Sequence, residues 1–296
     1  MKSHYILQPL MLSDQMAVLL LAVILDFAFG EPPSFAHPVV WFGKLIGFFD
    51  SKWNRRGLPD VIAGAFFTFI VIAFALLLSQ SPSLLPQPFD FLVSTYLLFS
   101  CISIRSMVDH AKATISNGVD AKKVQMIVSR DTSKLSRHQL CSAVIESVAE
   151  NFVDGVLAPL LYFAIFGLPG AVVYRAINVC DAMVGYRTPE YEKFGKFAAR
   201  IDDAANFIPA RLSVLLFALL NPRALKAYRH SVKLNGHAMV AMAYTLRVTL
   251  EKPGSYIIKA GRLPSERDVE RSISVFWMVS CLAVLFSAVL IVLKSF

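Results

Sequence analysis

Two stretches of this chain run without a charged residue for longer than a soluble helix has reason to. No charge occurs between Asp60 and Asp90, and none between Arg271 and Lys294, where the sequence reads SISVFWMVSCLAVLFSAVLIVL. A helix needs about 20 apolar residues to cross the hydrocarbon core of a bilayer. A charge at the centre of that core is strongly disfavoured, which is why such runs stay clean. Only 17% of the residues are charged and the mean hydropathy is +0.56, against about a quarter charged in a soluble domain. The deficit is concentrated in the runs. The chain therefore reads as an all-α, polytopic membrane protein.

Lys44, Lys52, Arg55 and Arg56 precede the run Val61 to Gln80, and the following turn, SPSLLPQP, has no charge. By the positive-inside rule, residues 44 to 56 are cytoplasmic and the turn is outside. Phe91 to Ile104 returns inward to Arg105, ahead of a region rich in Lys, Arg and His up to Arg137 with helical spacing. The stretch Gly155 to Tyr174 is interrupted by Gly-Leu-Pro-Gly at 167 to 170. Each half is too short to span, which predicts a re-entrant hairpin, tolerated where protein or water surrounds it. Leu212 to Leu220, between Arg211 and Arg223, also reads as interfacial or re-entrant. The last helix starts behind Arg262, Arg267 and Arg271 and ends outside. Met1 to Leu12 carries one lysine and no small-x-small pattern follows, so Gln15 to Phe29 reads as a retained helix. The expectation is about four full crossings plus one or two partial ones, both termini outside. One domain covers 1–296, with cytosolic helical parts at about 105–150 and 185–210.

The net charge of +8 lies in short segments beside the apolar runs, which speaks for membrane orientation and against nucleic acid. Cys101, Cys141, Cys180 and Cys281 are far apart with no Cys-x-x-Cys pair, so neither a disulfide framework nor a zinc site is expected.

The chemistry-bearing residues cluster in four places. In IESVAENFVDGVLAP, Glu146, Glu150 and Asp154 stand at i, i+4 and i+8, a helical stripe of carboxylates with Asn151 beside it. Like charges at this spacing repel, so a cation, either a metal or a substrate ammonium, would offset the cost; pairing with nearby arginines is the plainer alternative. Arg175, Asn178 and Asp181 repeat at i, i+3, i+6 on the outgoing arm of the hairpin, followed by Arg187. ARIDDAANFIPARL supplies Arg200, Asp202, Asp203, Asn206 and Arg211. Adjacent aspartates suit Mg²⁺, which bridges to phosphate and keeps waters, and arginine's planar fork suits phosphate oxygens. Near the start, LDFAFGEPPSFAHPVVWFG holds Asp26, Glu31 and His37 around a Pro-fixed loop. SRDTSKL, with Arg130, Asp131 and Thr132, reads as a loop and helix N-cap. Walker, HExxH, GxSxG and GxGxxG motifs are absent.

Across LDFAFGEPP…HPVVWFGKLI, IVSRDTSKL, IESVAENFVDGVLAPLLY and GAVVYRAINVCDAMVGYRTPEYEKFGKFAARIDDAANFIPARL, in that order, the chain resembles the adenosylcobinamide-phosphate synthase family of cobalamin biosynthesis, the CbiB/CobD family. The resemblance implies a multi-pass enzyme of the bacterial inner membrane with its active site facing the cytoplasm. It implies a ligase that uses ATP and Mg²⁺ to join (adenosyl)cobyric acid to aminopropanol phosphate. Carried onto this sequence, the implied catalytic set is Glu146, Glu150, Asp154, Asp202 and Asp203, the last four excluding Glu146 holding metal and nucleotide phosphate. Arg130, Arg175, Arg200 and Arg211 would meet phosphates. Asp26, His37, Asn151, Asn178, Asp181, Arg187, Asn206 and Asn235 would complete the substrate site. The implied partners are membrane lipid, the corrinoid and aminopropanol phosphate; self-association into a homodimer stays open.

One stretch departs from the family pattern. Where the family shows Pro-Asn-Ala-Gly and an aromatic residue, this chain has KLNGHAMVAMA, keeping only Asn235 and Gly236. Two other readings compete. One is a non-catalytic signalling protein of the AmpE type, which resembles the synthases but has lost much of the acidic block retained here. The other is a transporter with a midplane site in a broken helix, for which the single hairpin lacks a repeat partner.

Overall fold

The computed structural model describes residues 12–54, 61–294 and 296. Arg55, Arg56 and the stretch before Leu12, used above for orientation, lie outside the described residues. The helices run in order as α1 Leu12–Phe29, α2 Pro38–Phe49, α3 Val61–Gln80, α4 Phe89–Phe99, α5 Ile104–Ala113, α6 Ala121–Gln125, α7 Arg137–Phe152, α8 Ala158–Phe166, α9 Leu168–Val184, α10 Lys196–Leu220, α11 His237–Leu246 and α12 Glu266–Leu293. A hairpin of β1 Leu250–Lys252 and β2 Tyr256–Ile258, paired antiparallel with Leu250 opposite Ile258, sits between α11 and α12. Five helical stretches are long and apolar enough to cross a membrane: Val61–Leu84, Phe89–Ala113, Arg137–Phe166, Lys196–Leu220 and Glu266–Leu293. The protein is an all-α, polytopic membrane protein, its strands confined to that hairpin among the described residues.

Packing divides the chain into two compact units. The first takes the chain up to Ile102, Ala158–Ala205 and the end from Leu285; the second takes Ser103–Leu157 and Asn206–Val284. In the first unit, α9 is the central element, with α2, α3, α4 and α8 packed on it. Gly167, at φ 70°, turns α8 back into α9. That left-handed conformation favours glycine, so the predicted hairpin forms where Gly-Leu-Pro-Gly stands. The connection between α9 and α10 is pinned closely. A Cβ on Gly64 would lie 2.0 Å from the Phe194 carbonyl oxygen, and one on Gly195 would lie 1.7 Å from that of Val184. Phe194 is fully buried with its ring stacked on Phe67 at 4.7 Å.

In the second unit α7 is central, with α5, α6, α11 and β1 against it. Phe152 meets Phe217 and Phe276 edge-on at 5.5 and 6.4 Å. At the start of α12, Arg262 forks onto the fully buried Asp268 at 2.7 and 2.8 Å, and Arg271 reaches the same carboxylate at 3.1 Å. These arginines, read from sequence as orientation signals, also tie the helix start down.

The structure differs from the sequence reading at three places. The incoming arm of the hairpin is longer than its uncharged run, because α7 continues through a π-helical turn, Val153–Leu157, into α8. The resulting stretch Arg137–Phe166 has 30 residues, enough to span. Leu212 to Leu220 is no separate short segment but the end of α10, 25 residues long with Pro209 inside it. Arg211 appeared to bound that run, yet its guanidinium lies 3.4 Å from the centre of the Phe207 ring and donates to the Phe207 carbonyl at 2.8 Å. The charge is thus folded onto its own helix. Residues 185–195, expected to be helical, form the pinned turn, and α10 begins at Lys196.

Candidate functional site

The acidic stripe of α7 lies in the second unit, and its members have different surroundings. Glu146 is 2% exposed. Its carboxylate is ion-paired with Arg130 and accepts from Ser142 Oγ at 2.9 Å and from the Tyr256 hydroxyl at 3.1 Å. Ser142 also receives the backbone N–H of Glu251 at 2.6 Å, so the same cluster fastens β1 to α7. A buried carboxylate is tolerable when paired and hydrogen-bonded on all sides, and Glu146 meets that condition. Burial and the carboxylates of Glu146 and Glu150 push the Tyr256 phenol far above the ordinary tyrosine range.

One turn on, Glu150 pairs with Lys233, the side chains being 38% and 49% exposed. Asp154 sits half-buried in the π-helical turn and acts electrostatically on the same ammonium. Burial alone would lower Lys233; Glu150, then Asp154 and Glu146, outweigh it and hold the ammonium above the ordinary lysine range. Asn151 is half-buried and turns its amide back to Ser147, at 2.9 Å from the carbonyl. The carboxylates predicted from spacing lie along α7 and the π-helical turn that follows it, and Glu150 among them meets a lysine 83 residues away in sequence.

The SRDTSKL segment behaves as a loop, but its capping differs from expectation. Asp131 Oδ1 accepts from the Ser133 N–H at 2.9 Å, while Ser136 caps α7 in a capping box with Gln139. Thr132 donates to the Ala121 carbonyl at 2.8 Å. Arg211 and His237 also belong to this unit. His237 is held below the ordinary histidine range by burial, with Arg211 adding to the effect. Asn206 is buried and Asn235 half-buried, two residues after Lys233.

The first unit holds the other candidates. His37 caps α2, its Nδ1 accepting from the Val39 N–H at 3.3 Å. Burial holds it below the ordinary range, opposed by Glu31 and assisted by Arg175. On α9, Arg175 Nη1 donates to Asn178 Oδ1 at 2.9 Å. The carboxylates of Asp181 and Asp202 both act on the buried Cys180 thiol, and Asp202 also on the Tyr162 phenol. Tyr162 donates to the Ala205 carbonyl at 2.9 Å and stacks on Tyr174 at 5.2 Å. Thus α8, α9 and α10 bring Asp181 and Asp202 into one neighbourhood, with Asp203 half-buried beside them. Arg187 and Arg200 are exposed, and Asp26 is fully buried in α1.

Sequence reasoning missed Lys233, Tyr256, Ser142 and Tyr162. Lys233 lies within the KLNGH stretch already singled out as a departure, which was the available signal. Among the described residues no three His, Cys, Asp or Glu side chains form a ready metal cage. Glu150 and Asp154 carry partly exposed carboxylates, the donor chemistry that Mg²⁺ takes before completing its shell with phosphate and water.

A helical, multi-pass membrane protein with carboxylates, a lysine and arginines gathered at helix ends and turns is the class these features define. The chain belongs to the CobD/Cbib protein family, whose model matches residues 19–284. A probable cobalamin biosynthesis protein CobD of Archaeoglobus fulgidus is 55% identical over 281 residues, 95% of this chain and 96% of that protein. Proteins of the same name from Pyrococcus abyssi and Methanocaldococcus jannaschii are 51% and 37% identical, over 88% and 91% of this chain and 90% and 95% of their own lengths. No solved structure matches it. These relatives are archaeal, so the family is not confined to the bacterial inner membrane expected from the resemblance.

Proposed function

We propose that this chain is the ligase that joins the carboxylate of (adenosyl)cobyric acid to the amine of aminopropanol phosphate, giving adenosylcobinamide phosphate, with its site on the cytoplasmic face. Family membership and the relatives' names support a place in cobalamin biosynthesis. The observation that carries the reaction is the open pairing of Glu150 with Lys233, with Asp154 acting on the same ammonium, beside a locked, buried Glu146. A carboxylate does not condense with an amine unaided, and ATP with Mg²⁺, when bound, would supply the activation. Glu150 and Asp154 would offer oxygens to the metal, and Asp202 and Asp203 would do so in the first unit.

The chain's own groups then have definite tasks. Arg175 and Asn178, joined to each other, present a rigid donor face to substrate oxygens. A carboxylate close to the incoming ammonium holds it by charge and accepts its proton as the amine becomes nucleophilic. Glu146 has its oxygens occupied by Arg130, Ser142 and Tyr256, so it positions the helix, and whichever of Glu150 and Asp154 does not hold the metal takes the proton.

The test uses the full chain purified in detergent with ATP, Mg²⁺, adenosylcobyric acid and aminopropanol phosphate, with mass spectrometry of the products. The amide is expected only when all four are present. No amide, with a known synthase active alongside, overturns the ligase reading in favour of a signalling role.

A further inference from the structure

We propose that Lys233 is the residue that binds the phosphate monoester of the amine substrate, exchanging its Glu150 partner for that phosphate. This rests on the ligase reading and names the part of the site that selects the amine.

The cations of the second unit are not equally available. Arg130 is committed to the buried Glu146, and breaking such a pair is strongly disfavoured because a desolvated charge would be left behind. Arg211 lies on the Phe207 ring with its guanidinium donating to a backbone carbonyl. Lys233 differs. It and Glu150 are both partly exposed, and an exposed ion pair contributes only about 0–1 kcal/mol. A phosphate monoester carries about −1.5 to −2 charge at neutral pH with three acceptor oxygens, so it displaces a single carboxylate from this ammonium at little cost. The displaced Glu150, with Asp154 beyond it, then faces the ammonium at the other end of the same short ligand. A zwitterion with phosphate and amine on one small carbon frame matches the site at both ends.

The lysine is also aimed. A Cβ on Gly236 would lie 2.7 Å from Lys233 Cγ and 3.1 Å from Met239 Cε, so the lysine stem lies directly against the bare glycine. Met239 Sδ in turn lies 3.4 Å from the Tyr256 hydroxyl, whose proton goes to the Glu146 carboxylate. The buried anchor, the methionine and the glycine together fix where the ammonium stands. The departure of KLNGH from the usual family run therefore falls on the residue that meets the substrate.

The experiment measures binding by calorimetry on the full chain in detergent, without ATP or corrinoid, so that it reads independently of turnover. The probes are aminopropanol phosphate and unphosphorylated aminopropanol, with ATP·Mg²⁺ as a separate arm. Wild type is expected to prefer the phosphorylated amine by about tenfold or more, about 1.4 kcal/mol or more. Lys233→Met should erase that preference, Lys233→Arg should keep part of it, and Gly236→Ala should weaken it by pushing the lysine stem aside. Affinity for ATP·Mg²⁺ should change by less than the affinity for the phosphorylated amine, because Lys233 only neighbours the Glu150 and Asp154 carboxylates assigned to the metal. A Lys233→Met protein that elutes as wild type and still prefers the phosphorylated amine overturns the inference, as does a loss confined to the ATP arm. An erased preference in a chain that forms no amide leaves this subsite standing and removes the ligase reading. Amide formation by Lys233→Met with an unchanged KM for the amine phosphate does the reverse.

Discussion

Glu146 and Glu150 stand one turn apart on the same helix, each paired with one cation, yet they have opposite physical characters. The side chain of Glu146 is 3% exposed, with Arg130, Ser142 and Tyr256 on its oxygens; that of Glu150 is 38% exposed and meets Lys233. In the first region the charge is desolvated, so its partners are obligatory and the pair acts as a fastening between α7, the SRDTSKL loop and the β-hairpin. In the second, water competes for both charges, so the pair is weakly held and its partners are not obligatory. Spacing made the two residues look equivalent; burial separates their roles.

The largest effect should come from attacking the fastening. Glu146→Ala leaves Arg130 desolvated and unpaired and should cost about 3–5 kcal/mol, read as a large fall in the detergent unfolding midpoint. A loss below about 1 kcal/mol, the range of an exposed pair, would erase the distinction between the regions. The middle case is chemical. Asp154→Asn and Asp202→Asn should abolish amide formation while the proteins unfold near the wild-type midpoint, and unchanged turnover in either would remove that residue from the site.

The smallest effect sharpens the contrast from the first unit. His37 caps α2 as a neutral ring and is held below the ordinary value of 6.5. A depressed folded-state pKa stabilises the protein fully above that ordinary value, and the contribution is lost as pH falls through the lowered one. Melting should therefore weaken on acidification below the ordinary value. His37→Asn, which caps at any pH, should flatten that dependence; an unaltered profile would acquit the histidine.

Much of the membrane architecture was legible because the bilayer enforces it residue by residue. The uncharged runs after Asp60 and after Arg271 became α3 and the body of α12. Gly167 turned the hairpin where the Gly-Leu-Pro-Gly run stands. What failed was the use of charge as a boundary. Arg211 looked like the edge of a short segment, yet a cation lying on Phe207 does not interrupt α10. Gly155 looked like the start of the apolar arm, yet α7 runs through the π-helical turn Val153–Leu157 into α8. The α7 stripe itself was readable from helical periodicity. Its closing partners, Lys233 and Tyr256, lie 83 and 110 residues away, and no local pattern predicts contacts of that range.

The turn between α9 and α10 has no slack: carbonyl oxygens press on Gly64 and Gly195, and Phe194 is wedged on Phe67. Asp181 and Asp202 flank it, so their mutual placement is set before any ligand arrives. A ligand that enters beside these carboxylates meets a fixed jaw, and any accommodation falls to other parts of the chain.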